Sequence, residues 1–90
     1  MPMYLLLIRV NPNQVGDFLK EVKKLPDKPS TGVTLYYTYN VFGPWDCCIW
    51  FEADTHENAM NFIQNKIAPI TGVRETHTMP TTPIKEYKTQ

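Results

Sequence analysis

Val33–Ala53 reads VTLYYTYNVFGPWDCCIWFEA. Its first part, Val33 to Phe42, is rich in β-branched and aromatic side chains, which suit a pleated, half-buried surface. Cys47 to Ala53 (CCIWFEA) has the same character. Between them Gly43-Pro44-Trp45-Asp46 is a tight connection, so the two segments are expected to form an antiparallel hairpin.

Working outward, Pro26–Gly32 (PDKPSTG) is a turn-rich loop. Before it, Val15, Phe18, Leu19, Val22 and Leu25 recur at helical spacing. Asn11 offers an N-cap, Pro12 fits the first helical position, and Pro26 stops the helix. Lys20, Lys23 and Lys24, with Asp17 and Glu21 among them, form a mixed solvated face rather than a nucleic-acid stripe. Met3–Val10 (MYLLLIRV) is apolar at both alternating sets of positions, as a strand buried on both faces would be. On the other side of the hairpin, Thr55 can cap a second helix whose apolar side is Ala59, Phe62, Ile63 and Ile67. Pro69 and Gly72 end it. Val73–Met79 (VRETHTM) is a more polar final strand, suited to a sheet edge. Residues 1–79 then make one domain, and Pro80–Gln90 is a Thr/Pro-rich tail with at most a short strand around Ile84 to Lys88.

The order β-α-β-β-α-β is expected to fold as a ferredoxin-like α+β domain. That is a four-stranded antiparallel sheet with both helices on one face and strands one and three at its centre. Helices cover only one face, so the other would expose a patch including Trp50, Cys48 and half of strand one. A patch of that kind marks an interface. It predicts an obligate homodimer, sheet face to sheet face, in a dimeric α/β barrel.

Composition narrows the function classes. The chain has 90 residues, nine Lys+Arg against nine Asp+Glu, and zero formal net charge, whereas a free-standing nucleic-acid module normally shows a basic excess. With 42% apolar and 20% charged residues, wholesale disorder is excluded. The longest apolar run, Met3 to Ile8, is far short of the roughly 20 residues that span a bilayer. Nothing at the start of the chain reads as an export signal. Cys47 and Cys48 are adjacent and point to opposite faces of a strand, so no disulfide is expected between them; they read as small buried residues in a reducing, cytoplasmic setting.

The hairpin Gly43-Pro44-Trp45-Asp46, then Ile70-Thr71-Gly72-Val73, then Thr76-His77-Thr78 resembles the effector-binding (RAM) domain of the Lrp/AsnC, or feast/famine, transcription regulators. The family pattern is Gly-x-x-Asp at the hairpin, Gly-Val after the second helix, then Thr-x-Thr. The resemblance runs from about Met3 to Thr78. It implies dimers that associate further, with an amino acid or small metabolite bound between dimers. Carried over by motif, the site would use Gly43, Pro44, Trp45 and Asp46, with Thr76 and Thr78 from a neighbouring subunit. Asp46 would meet the ligand's ammonium group, and turn N–H groups and Thr hydroxyls its carboxylate. Full-length members also carry a DNA-binding helix-turn-helix, whereas here the sensing pattern starts at the first residues. The resemblance therefore implies a stand-alone form without direct nucleic-acid or membrane contact, assembling with full-length regulators. No cofactor is expected.

Each of these residues also has an ordinary structural reading. Asp46 can be a turn-stabilising carboxylate, Gly43 can supply a backbone angle, Trp45 and Trp50 can be packing residues, and Thr76 and Thr78 are common strand residues. Two other functions stay open. A small monooxygenase-like enzyme on this fold would need His77, His56, Asn40 or Trp50 inside a pocket between sheet and helices. A copper protein would draw on the soft ligands Met1, Met3, Cys47, Cys48, His56, His77 and Met79. Of these, His77 and Met79 are the one close pair, on one side of a strand.

Overall fold

The computed structural model describes residues 2–85 and residue 87. Strand β1 (Met3–Val10) leads through a 3-10 turn (Pro12–Gln14) into helix α1 (Val15–Lys23). Strands β2 (Val33–Asn40) and β3 (Cys47–Ala53) form the hairpin, followed by α2 (His56–Phe62), a π-helical turn (Ile63–Ile67) and strand β4 (Val73–Thr81). The four strands make one antiparallel sheet in the order β2-β3-β1-β4. The ferredoxin-like arrangement is as expected, with β1 and β3 at the centre.

Cross-strand partners line up in rows, and directly opposed residues share a face. Three rows face the helices: Asn40–Cys47–Ile8–Thr76, Thr38–Ile49–Leu6–Thr78 and Leu35–Phe51–Tyr4–Pro80. Against them pack Phe18 and Val22 from α1, Ala59 and Phe62 from α2, and Ile63 and Ile67 from the π turn. Phe51 is fully buried in this layer. It stacks on Tyr4 at a centroid distance of 5.2 Å and meets the edge of Phe62 at 5.1 Å. Thr55 caps α2 as its position predicts, accepting a 3.0 Å hydrogen bond from the Asn58 N–H.

The opposite face carries the rows Tyr39–Cys48–Leu7–His77 and Tyr37–Trp50–Leu5–Met79, with Glu52, Met3 and Thr81 beyond them. No helix covers it among the described residues. A bulge in β2 skips Tyr36 between Leu35 and Tyr37. It turns Tyr37 to this open face, where strict alternation after Leu35 would have turned it to the helices. Tyr37 and Tyr39 stack there at 5.7 Å, and the Tyr36 hydroxyl donates to Glu52 Oε1 at 2.7 Å.

Several local expectations need correction. Asn11 makes no side-chain cap; its carbonyl closes the 3-10 turn by accepting from the Gln14 N–H. Val15 opens α1 exposed rather than on the core stripe, which Phe18 and Val22 occupy. Strand β2 stops at Asn40, leaving Phe42 bare on the hairpin, and β4 runs two residues past Met79 to Thr81. On the open face Cys48 is buried and Met3, Leu5, Leu7 and Trp50 are half-buried. Cys48 is thus a small buried residue, as the reading of the two cysteines has it, and not a bare part of the open patch, because Tyr39 and Leu7 flank it across the sheet. In the tail, Ile84, Lys85 and Tyr87 are not in a strand; the rest of the short strand expected over residues 84–88 lies outside the described residues.

Candidate functional site

The hairpin turn is held to the end of β1. Gly43 has φ +121°, a conformation that L side chains resist. A Cβ there would meet nothing within 4 Å, so backbone conformation alone calls for glycine. Past the turn, the Asp46 N–H donates to the Ile8 carbonyl at 2.9 Å, which extends the β1–β3 ladder by one bond. Two residues further along β1, Asp46 Oδ2 accepts from the Val10 N–H at 2.8 Å. The carboxylate takes the place of the next backbone carbonyl where the ladder ends. The structural reading of Asp46 therefore holds for one of its oxygens.

Arg9 completes the arrangement. Its Nε donates to the Pro44 carbonyl at 3.0 Å, its guanidinium lies 4.9 Å from the Trp45 ring centroid, and its Nη1 pairs with Glu75 at 3.2 Å. The His77 ring lies 6.0 Å from the Trp45 ring, tilted by 35°. Trp45 thus packs at the edge of the open face, near a cation from β1 and an imidazole from β4. Sequence reasoning passed over Arg9, although a lone cation in the apolar run MYLLLIRV was the signal available for it.

Thr76 and Thr78 lie opposite Ile8 and Leu6, on the helix side of β4, while His77 and Met79 lie on the open side. Within one chain the structure brings Pro44, Trp45 and His77 together but does not bring Thr76 or Thr78 to the Trp45 side of the hairpin.

The residues considered for enzyme chemistry are also dispersed. Trp50 and His77 are on the open face, Asn40 is on the helix face at the hairpin end, and His56 is exposed at the start of α2 against Tyr4. They share no pocket between sheet and helices. Among the soft ligands, Cys47 and Cys48 are both free and point to opposite faces. Burial, followed by the neighbouring Cys48 and Asp46, pushes the Cys47 thiol up to about 11, and burial raises Cys48 as well. Both are therefore protonated near neutrality, whereas the thiolate is the metal ligand and the nucleophile. Among the described residues no group of three or more His, Cys, Asp or Glu is placed to hold a metal ion. Met1 lies outside the described residues.

A cavity of about 330 Å³ lies between α1 and β2, lined by Val22, Leu25, Pro26 and Leu35, and another of about 270 Å³ lies on the open face against Met3, Trp50 and Thr81. No helix among the described residues is long and apolar enough to cross a membrane.

No family model matches the sequence, and no curated protein matches it. Solved structures do resemble it. TTHA0845 from Thermus thermophilus is 22% identical with a TM-score of 0.75, over 97% of this chain and 100% of that one. AsnC of E. coli is 14% identical with a TM-score of 0.79, over 99% of this chain and 56% of that one. The transcriptional regulator NMB0573 of Neisseria meningitidis, solved as its L-Met complex, is 12% identical with a TM-score of 0.77, over 98% of this chain and 54% of that one. At these identities the likeness establishes the fold.

Proposed function

We propose that residues 1–79 are a ligand-sensing and oligomerisation unit of the Lrp/AsnC type, binding an amino acid or related small metabolite between dimers. The chain has the fold found in regulators of that family and spans little more than half the length of AsnC and NMB0573. The observation that carries this reading is the fold likeness to regulators, one of them solved with L-Met, taken together with a sheet face left without a helix cover. In a face-to-face pair, Trp50, Leu5, Leu7 and Met79 would leave water against their counterparts, the main driving term for association.

The ligand would sit at the hairpin Gly43–Asp46. The second oxygen of Asp46 is its anion for an ammonium group, since the first is engaged by Val10. Thr76 and Thr78 face away from Trp45 within one chain, which favours their arrival from a neighbouring subunit. Any effect on DNA would pass through a DNA-binding unit outside the described residues, such as that of a full-length partner regulator. The buried, protonated thiols suit a reducing, cytoplasmic setting.

The test is a thermal-shift screen of the twenty amino acids on wild type and Asp46→Asn. Asparagine keeps an acceptor for the Val10 N–H while removing the charge, so the fold is retained. The expected result is at least one amino acid that stabilises wild type and has lost its effect on the variant. No stabilisation of wild type by any of the twenty rejects the amino-acid reading.

A further inference from the structure

We propose that Arg9 is a positioning residue that ties the Pro44–Trp45 segment to the open face of the sheet, so that ligand binding at the hairpin and pairing of two sheet faces are linked through it. The inference rests on the reading above for what the hairpin and the face do. Its geometric basis is independent of that reading.

Arg9 is the last open-face residue of β1 before the ladder to β4 shifts, opposing Glu75 while Val10 opposes Val73. Its three contacts are the Pro44 carbonyl and the Trp45 ring on the hairpin, and the Glu75 carboxylate on β4. With its side chain 38% exposed, the ion pair alone would count for little. The planar guanidinium does something a point charge cannot. It directs Nε at one acceptor and Nη1 at another while its face lies near an indole. Its removal frees Trp45 from β1 and leaves the Asp46 bonds and the Trp45–His77 contact to hold the turn.

The consequence is a mechanical connection. Trp45 and His77 border the same open face as Leu7 and Cys48, one row from the end of the sheet. A ligand that shifts the Pro44–Trp45 backbone must either carry Arg9 with it or break the Arg9–Pro44 bond. Either change alters the edge of the surface on which a second copy would pair. The charged groups around this point are Arg9, Glu75 and the Asp46 carboxylate bonded to the Val10 N–H, and the His77 ring packs near Trp45.

The protein has two tryptophans, so a Trp50→Phe background leaves Trp45 as the only indole. In that background Arg9→Lys and Arg9→Ala are compared with their parent by emission maximum and acrylamide quenching, while their dimer Kd is compared with wild type by sedimentation equilibrium with Trp50 intact. Both substitutions should shift Trp45 emission to longer wavelength and raise its quenching constant about twofold. The dimer Kd should rise about tenfold, a 1.4 kcal/mol effect, and lysine should fail to rescue it. Glu75→Gln, which leaves Arg9 in place, should move the same readouts in the same direction by less. Unchanged Trp45 emission and Kd in Arg9→Lys overturn the proposal. The indole readout needs no ligand, so its failure leaves any amino-acid response of wild type intact. A missing amino-acid response alongside a shifted indole rejects the sensor reading alone. Where an amino acid does stabilise wild type, it should change the dimer Kd of wild type and not that of Arg9→Ala; an equal change in both overturns the link.

Discussion

The Asp46 carboxylate accepts a 2.8 Å hydrogen bond from the Val10 N–H at the end of the β1–β3 ladder. A side chain from the hairpin thus satisfies a part-buried backbone donor that has run out of backbone acceptors. A part-buried donor left unpaired costs about 1–3 kcal/mol. Asp46→Ala should lower stability by about that amount in urea titrations, and Asp46→Asn by clearly less. Equal losses in both would mean that the Val10 bond contributes nothing.

The turn that presents Asp46 depends on the backbone of Gly43. With φ at +121° and open space where a Cβ would stand, Gly43→Ala carries conformational strain without a clash. The expected loss is about 1–3 kcal/mol, read as a lower thermal midpoint. A variant as stable as wild type would show that the turn relaxes to an ordinary conformation.

Leu5 and Trp50 lie side by side on the open face, in the row Tyr37–Trp50–Leu5–Met79. If two copies pair through this face, a buried carboxylate there is left unpaired and is strongly unfavourable. Leu5→Glu should convert dimers to monomers in sedimentation velocity with the fold retained by circular dichroism. A Leu5→Glu chain that sediments like wild type counts against face-to-face pairing.

The Cys47 thiol provides a pH test. Burial, then Cys48 and Asp46, raises it to about 11 from the ordinary value of 9.0. The folded state therefore holds this proton more tightly than the unfolded chain. Its contribution is fully present below pH 9 and is lost as pH rises through about 11. The urea midpoint of wild type should fall between pH 9 and pH 11 more steeply than that of Cys47→Ala. Parallel slopes would show that Cys47 does not titrate differently in the two states.

The strand and helix order was legible because the patterns are strong. The hairpin has two β-rich runs around a short Gly-Pro connection, and Phe18–Val22 and Ala59–Ile67 repeat at helical spacing. The second helix's cap at Thr55 was legible because capping is local, one side-chain oxygen reaching the N–H of Asn58 in the next turn. The Tyr36 bulge was not, since periodicity along β2 carries no mark of a skipped partner. Nor was the role of Arg9, whose contacts at Pro44 and Glu75 lie far along the chain and meet it only through strand pairing.

The sequence by itself determined the element order, the two central strands, the apolar stripes of the two helices, and a special backbone angle at Gly43. Those follow from local conformational preference and from which residues must leave water. Tertiary structure alone decided that Thr76 and Thr78 face the helices while His77 faces Trp45, and that Asp46 completes a ladder before it can meet a ligand. It also decided that Arg9 joins β1, the hairpin and β4 at one corner of the sheet. Those outcomes depend on register, and register is set by pairing between strands rather than by either strand alone.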